Sequence, residues 1–279
     1  LMTRSLAIRR SKLGPDHWKV ADSLNDLGAL YYQTGRYDLA AKIWKECLPI
    51  SEKWAGKDHP EVASVANNIG RSLLIGGKPD EAEPYFTQTL DMRRRTKPPG
   101  HDDFILPLNS LAMIRIARRD YGEAEEMLDE ARGIAEKQNH WMLDQVLTNL
   151  ADVYAKTARA PQAEQLLARA RALLEKQYPP GEMPDEAWRY ALQDAVLATT
   201  YAAEKKYPEA RKLLAAALPI VRKRFGEGRY YTRDLEERLA ATYLAAMGRI
   251  EVITAANRIS ALAGVPGRHV VVLRSIADP

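Results

Sequence analysis

The sequence predicts an all-α solenoid of about six antiparallel helical hairpins. Three histidines, His17, His59 and His101, follow one another at intervals of 42 residues. A fixed period of roughly 20–50 residues indicates stacked units, because one such unit cannot bury its apolar face alone. The 279-residue chain is 46% apolar and has only 3 Phe, a composition that favours closely packed helices over sheets.

The first complete unit shows how each hairpin is expected to form. Leu24, Leu27 and Tyr31 recur at helical spacing and predict one amphipathic helix. Gly35 interrupts the pattern, and a second helix is expected to begin near Tyr37. Two helices joined by so short a connection must pack antiparallel.

This pattern resembles the tetratricopeptide repeat, in which Leu-Gly-x2-Tyr on the first helix is matched by Ala-x3-aromatic on the second. The matching positions are Leu27, Gly28, Tyr31, Ala40 and Trp44 in unit one; Ile69, Gly70, Leu73, Ala82 and Phe86 in unit two; Leu111, Ala112, Ala124 and Leu128 in unit three; Leu150, Ala151, Tyr154, Ala163 and Leu167 in unit four; and Leu197, Ala198, Tyr201, Ala210 and Leu214 in unit five. Unit three departs from the pattern at Arg115, which stands where the aromatic residue should be. The small residues allow close helix approach. The 42-residue period is similar to that of kinesin light chains and many bacterial regulatory proteins. The resemblance implies a right-handed superhelix whose first helices line a concave groove.

The period divides the chain into eight expected segments. They are residues 1–14, the second helix of a repeat whose first helix is missing; 15–56, repeat 1; 57–98, repeat 2; 99–139, repeat 3; 140–178, repeat 4; 179–226, repeat 5 with an expanded loop; 227–263, repeat 6 or a cap; and 264–279, a loosely held tail.

The resemblance implies a function in protein–protein interaction, with a peptide or partner segment held in the groove. Two alternatives stay open: a sensory segment of a larger bacterial enzyme, such as a serine/threonine kinase or a nucleotide-dependent regulator, and a nucleic-acid-binding solenoid. The residues expected to contact a partner lie on the groove side of the first three first helices. They are Asn25, Tyr32, Asn67, Arg71, Leu74, Ile75, Asn109, Met113 and Ile116.

Each part of this expected site has a second interpretation. Asn25, Asn67 and Asn109 form a ladder of amides that could bond to a peptide backbone, or else bond between repeats. The apolar residues beside them could form pockets for a partner, or else cover the truncated end. Arg71 could pair with an acidic side chain of the partner.

Catalytic and metal chemistry are not expected in these residues. Histidines one repeat apart cannot share a metal ion, since stacked helices lie about 8–10 Å apart and zinc ligands about 2 Å from the ion, so His17, His59 and His101 are expected at helix starts. No phosphate-binding loop or nucleophile elbow occurs, and no cofactor is expected. The single cysteine, Cys47, occupies a packing position and fits a reducing, cytoplasmic location. No apolar run is long enough to cross a membrane.

A basic run near the last repeats is the one feature that favours nucleic acid. It comprises Arg222, Lys223, Arg224, Arg229 and Arg233, with Tyr230 and Tyr231 between them. Cations and aromatic rings suit phosphates and bases. The alternative is a solvated helix end, where cations complement the helix dipole, and this interpretation is preferred because the groove carries charges of both signs.

Overall fold

The computed structural model describes residues 2–247, and these residues form an all-α solenoid of twelve α-helices. The expected tail and the part of repeat 6 that follows residue 247 lie outside the described residues. The helices are α1 (Met2–Leu13), α2 (Trp18–Gln33), α3 (Tyr37–Ala55), α4 (Pro60–Ile75), α5 (Pro79–Thr96), α6 (Ile105–Ala117), α7 (Tyr121–Gln138), α8 (Leu143–Lys156), α9 (Ala160–Gln177), α10 (Ala187–Ala203), α11 (Tyr207–Phe225) and α12 (Tyr230–Met247).

Each consecutive pair of helices from α2–α3 to α10–α11 packs as a hairpin, and each hairpin stacks on the next. Each of the expected repeats 1 to 5 therefore contains two helices. One short 3-10 helix, Asp102–Phe104, precedes α6, and another, Pro184–Glu186, lies in the expanded loop before α10. The even-numbered helices are the first helices of the hairpins, which places their inner faces on the concave side.

The periodic histidines begin helices, as the sequence predicts. In each of His17, His59 and His101, the ring Nδ1 accepts a hydrogen bond of 3.2 Å from the backbone N–H two residues later. This bond satisfies one of the amide groups that a helix start leaves without a partner. His140 makes the same bond to the N–H of Met142, although it follows His101 by 39 residues and so falls outside the 42-residue interval.

The small residue of each first helix faces a residue of the second helix sixteen positions later, and the two residues are complementary in size. A Cβ atom added to Gly28 would lie 2.6 Å from the Trp44 ring, and one added to Gly70 would lie 2.8 Å from the Phe86 ring. Either aromatic ring therefore requires glycine opposite it. Where the small residue is alanine, its partner in the same position is the narrower leucine, as in the pairs Ala112 and Leu128, Ala151 and Leu167, and Ala198 and Leu214.

The superhelix turns so tightly that its last described helix returns to its first repeats. α12 contacts α4, and Arg229 Nη1 lies 3.1 Å from Asp38 Oδ2. A Cβ atom added to Gly77 would lie 3.3 Å from the carbonyl oxygen of Gly228. Units of an open solenoid contact only their neighbours, so these contacts mean that the start of α12 lies across the concave face.

Candidate partner-binding groove

The concave groove is lined by first helices, and α12 fills part of it. Between α6, α8, α10 and α12 the groove keeps a cavity of about 90 Å³. Three of the residues expected at the partner site line this cavity, namely Asn109, Met113 and Ile116. The other six expected residues, Asn25, Tyr32, Asn67, Arg71, Leu74 and Ile75, lie outside its wall.

The three asparagine amides have different environments. Asn25 Oδ1 accepts a 2.9 Å hydrogen bond from Trp44 Nε1 within repeat 1. Asn109 Oδ1 accepts a 2.9 Å bond from Asn149 Nδ2 of the next repeat, as the inter-repeat interpretation requires. Asn67 is buried, and its Oδ1 has no hydrogen-bond partner among the described residues. Of the three amide oxygens, only that of Asn67 lacks a bond to the chain's own side chains.

The apolar part of the expected site is covered by the chain itself. Leu74, Ile75, Met113 and Ile116 are all buried. Ile75 and Tyr32 belong to one apolar cluster with Phe225 and Tyr231 of the last hairpins, and the Arg71 guanidinium stacks over the Tyr32 ring at 5.0 Å. These side chains therefore do not form open pockets in this conformation, and what covers them is the far end of the array.

Two tyrosines attach the start of α12 to α6. The Tyr230 hydroxyl donates to the main-chain oxygen of Met113 at 3.1 Å. The Tyr231 hydroxyl lies 3.9 Å from Met113 Sδ, and its ring packs against Phe225 with centroids 4.7 Å apart. Burial raises the pKa of both hydroxyls, which therefore remain protonated donors at neutral pH.

A buried ion-pair network attaches the middle of α12 to α8 and α10. Arg238 binds Asp152 through two parallel hydrogen bonds of 2.6 and 2.8 Å, and it also donates to Thr199 Oγ1 at 2.7 Å. Lys156 adds a third bond to Asp152 at 2.8 Å, and Asp234 accepts from Arg238 Nε at 2.8 Å. Burial alone would raise the pKa of Asp152, but the charges of Arg238 and Lys156 outweigh it and hold the pKa well below its usual range.

Polar groups in the wall of the cavity are left without partners by this arrangement. Asp144 and Gln193 are each 3% exposed. Arg189 Nη1 lies 3.8 Å from Asp144 Oδ2, which is too far for a hydrogen bond. The atoms without a hydrogen-bond partner in this wall are Asp144 Oδ1, Gln193 Oε1, Trp188 Nε1 and Arg189 Nη1.

Replacing Asp144 by asparagine is expected to stabilise the protein at neutral pH. Burial raises the pKa of Asp144 to about 6, and the Arg189 charge only partly opposes this shift. A carboxyl group whose pKa is higher in the folded than in the unfolded state destabilises the fold when ionised. We expect Asp144→Asn to raise the free energy of unfolding by on the order of 1–2 kcal/mol above pH 7. This gain should vanish as the pH falls through 6 toward 4.

Urea unfolding at pH 4.5, 6 and 7.5 measures this difference, with the exposed Asp26→Asn as the matched control. A gain that is the same at all three pH values would contradict the assignment of the titration to Asp144.

Three of the five cations of the basic run are paired with carboxylates among the described residues, while Lys223 and Arg224 are exposed in the last turn of α11. Arg222 pairs with Glu236 at 2.9 Å, Arg229 with Asp38 at 3.1 Å and Arg233 with Glu237 at 4.0 Å. Carboxylates that neutralise these cations would repel phosphates, so the pairing favours the solvated helix-end interpretation.

Groups with metal-binding or nucleophilic character have structural explanations. In the described part of the chain one cluster, His101, Asp102 and Asp103, brings together ligand atoms suited to a metal. His101 Nδ1 already accepts from the Asp103 N–H in its helix-start role. Burial raises the pKa of the Cys47 thiol to about 11, so it is not a thiolate at neutral pH.

Comparison with known proteins decides the family. The tetratricopeptide repeat profile matches residues 1–53, 19–95 and 103–176. The chain belongs to the tetratricopeptide repeat family. Proteins with this fold generally act as non-catalytic scaffolds for protein–protein interaction. None of the described helices is long and apolar enough to cross a membrane.

The curated relatives are larger proteins. Human tetratricopeptide repeat protein 19, mitochondrial, is 26% identical over 160 residues, which are 53% of this chain and 41% of that protein. The clustered mitochondria protein homolog of Aspergillus clavatus is 22% identical over 136 residues, 49% of this chain and 11% of that protein. The chain thus spans less than half the length of these relatives. A cytoplasmic location stays an expectation, since the human relative is named as mitochondrial.

Solved structures share the fold at low sequence identity. A putative kinesin light chain from Podospora anserina with nearly identical repeats has a TM-score of 0.54 and 22% identity, covering 74% of this chain and 97% of that one. The apo form of RapI has a TM-score of 0.60 and 12% identity, covering 90% and 89%. The Cut9–Hcn1 assembly of the anaphase-promoting complex has a TM-score of 0.62 and 16% identity, covering 99% and 45%.

Sequence reasoning located part of this site and missed the rest. The groove position of Asp152, one residue after the Leu-Ala pair, was a usable signal, because a charged residue on an inward-facing position implies a buried partner. Nothing in the repeat pattern points to Arg238 as that partner. The repeat pattern also does not point to Asp144, Arg189 or Gln193, since the resemblance assigns no contact to their positions.

Proposed function

We propose that this chain is a non-catalytic interaction module that holds a peptide or partner segment in its concave groove. One observation carries the proposal: the groove already accommodates a segment, α12, through contacts of the kind a bound segment makes. A groove main-chain oxygen accepts from the hydroxyl of Tyr230, and the groove carboxylate of Asp152 binds the guanidinium of Arg238. The family's general role in protein–protein interaction agrees with this.

The residues proposed to contact the partner remain those on the inner faces of repeats 1 to 3. Asn67 is the amide whose carbonyl oxygen remains unused among the described residues, although its side chain is buried in this conformation. Arg71 forms no ion pair among the described residues and stacks on Tyr32, so its charge is available to an acidic side chain. The remaining residues of the proposed surface are Asn25, Leu74, Ile75, Asn109, Met113 and Ile116.

The double variant Asn67→Ala, Asn109→Ala is expected to weaken partner binding roughly tenfold or more, since each amide bond to a peptide contributes about 0.5–1.5 kcal/mol. A partner is first isolated by affinity capture on the full chain, and its affinity is then measured by calorimetry for both proteins. The neighbouring amide variant Asn68→Ala serves as the control.

Stability is measured on the same samples, because Asn109→Ala also removes the bond to Asn149. Reduced stability with unchanged affinity would show that the amides only join repeats, and the groove proposal for Asn67 and Asn109 would fail.

A second candidate is a sensory segment within a larger bacterial enzyme. It is favoured by the fold shared with a Signal Transduction ATPase with Numerous Domains from Pyrococcus horikoshii that has a tetratricopeptide repeat sensor, at a TM-score of 0.55 and 14% identity. The test is to read the coding sequence around this chain. A kinase glycine-rich loop with a His-Arg-Asp motif, or a phosphate-binding loop, would support this candidate, and a gene that encodes only repeats would exclude it.

A further inference from the structure

The contacts of α12 differ from those of every other first helix in the described array. Helices α2 to α10 contact the hairpins next to them, whereas α12 reaches α4, α6 and α8 as well as its neighbours α10 and α11. The two residues in contact are 117 positions apart for Tyr230 and Met113, and 86 apart for Arg238 and Asp152. α12 therefore stacks on α11 as the other first helices stack on the helix before them, and in addition it docks in the groove as a bound segment would.

The seat of α12, defined here as Met113, Asp152 and Thr199, is suited to bind a hydroxyl group and a guanidinium group. The main-chain oxygen of Met113 takes a hydroxyl proton, and the two oxygens of Asp152 take two parallel N–H groups. Only a guanidinium offers two such donors in a fixed plane, so lysine cannot replace arginine here.

The residues of α12 that contact the seat are spaced so that they lie on one face of the helix. Tyr230, Asp234 and Arg238 follow one another at four-residue intervals, which places them in one row along a helix surface. The hydroxyl-bearing and guanidinium-bearing residues are thus separated by about 12 Å along the axis. A second helix with the same spacing would present the same two groups to the seat.

The fit between α12 and the groove is incomplete. The cavity of about 90 Å³ remains between them, and the wall retains the unpartnered polar atoms of Asp144, Gln193, Trp188 and Arg189. Buried polar groups without partners destabilise the state that contains them. A segment that filled the cavity and bonded to these atoms would bind the groove better than α12 does.

The connection to α11 provides a short, glycine-containing hinge. Gly226 and Gly228 have φ angles of +93° and +69°, a backbone region that favours glycine. Both lie between the last residue of α11, Phe225, and the first of α12. Rotation at these two residues would move α12 as a unit, and it would also break the contacts of α12 with α11, among them the Arg222–Glu236 pair.

We propose that the seat of α12 is the partner-binding surface, and that its partner is a helical segment carrying a tyrosine and, eight residues later, an arginine, which replaces Tyr230 and Arg238. This inference rests on the proposed function, extends the contact surface from Met113 in repeat 3 to Asp152 and Thr199 in repeats 4 and 5, and adds the chemistry of the partner. α12 is then the resident occupant that such a partner must displace.

The test uses the full chain and a fluorescent synthetic peptide with the sequence of residues 227–247. Because the tethered α12 competes at an effective concentration in the millimolar range, the wild-type chain should bind the peptide weakly. The variant Arg238→Gln, whose own α12 is weakened, should bind it at least tenfold more tightly by fluorescence anisotropy. A peptide that carries Tyr230→Phe and Arg238→Gln should bind this variant at least tenfold more weakly than the unchanged peptide does.

A milder variant, Tyr230→Phe, removes a single hydroxyl and keeps the test valid if Arg238→Gln does not fold. It should also bind the peptide more tightly than the wild-type chain, by several-fold. Equal binding of the two peptides, or equal binding by wild-type and variant chains, would overturn the proposal. So would a dimer of the variant in light scattering, since a second copy would then occupy the seat.

Failure here is distinguishable from failure of the proposed function. If a captured partner binds the chain, depends on Asn67 and is not displaced by the peptide, the groove proposal stands and the seat proposal fails. If the peptide binds but no partner segment competes with it, the seat of α12 is an internal docking site only, and this inference fails as well.

Discussion

Replacing Arg238 by alanine is expected to lower the free energy of unfolding by about 3–5 kcal/mol. The guanidinium is buried and holds both oxygens of Asp152, with further bonds to Thr199 and Asp234. Removing one partner of a buried ion pair leaves the other charge desolvated and uncompensated, which is far more destabilising than losing an exposed pair. Lys156 continues to bind Asp152, and this places the effect toward the lower end of the range.

Guanidinium-induced unfolding, followed by circular dichroism, measures the change, and Arg233→Ala is the matched control. Arg233 lies on the same helix, but its pair with Glu237 is at 4.0 Å and more than half exposed, so its loss should be barely detectable. Adding Asp152→Asn to Arg238→Ala should recover part of the stability, because it removes the uncompensated charge. If the two arginine variants were equally stable, the network would not be what attaches α12.

Replacing Phe86 by alanine is expected to be comparably damaging, at about 3–5 kcal/mol. Phe86 is fully buried and its ring lies directly against Gly70, so the truncation leaves a cavity that the rigid hairpin cannot close. Thermal and urea unfolding measure the decrease in the free energy of unfolding. Gln88→Ala, two residues further along the same helix and half-buried, tests for an effect of helix α5 itself.

The matching of small and large residues can be tested by exchanging both members of the pair. Gly70→Ala alone should destabilise by about 1–3 kcal/mol, because the new methyl group would overlap the Phe86 ring. Gly70→Ala with Phe86→Leu recreates the pair found in the third repeat, Ala112 and Leu128, and should be more stable than the sum of the two single effects. Additive effects would mean that the two positions do not contact each other.

The regular part of the fold was predictable because it is local. Helix positions, the hairpin pairs and the helix-start role of His17, His59 and His101 depend on residues within one period, and a sequence repeats them visibly. The 42-residue interval does not reveal His140, because only 39 positions separate it from His101, although its hydrogen bond is the same.

The partner site was harder to predict because it depends on how much the superhelix curves. Small rotations between successive hairpins add up over the array, and no single residue encodes their sum. The sequence therefore places Asn109 and Met113 on the inner face but gives no indication that Tyr230 and Arg238 cover it. For the same reason, the sequence places Ile75 on the groove side but does not show that it is buried against the last hairpins.

The contact between Arg229 and Asp38 joins residues 191 positions apart. In a linear array of hairpins, unfolding can begin at either end, where a unit has only one neighbour, and proceed inward one unit at a time. When the first and last described hairpins also contact each other, each of them has a neighbouring hairpin on both sides. Together with the apolar cluster that joins Tyr37 and Ile75 to the last described hairpins, this contact is expected to make the described hairpins unfold more cooperatively than those of an open array.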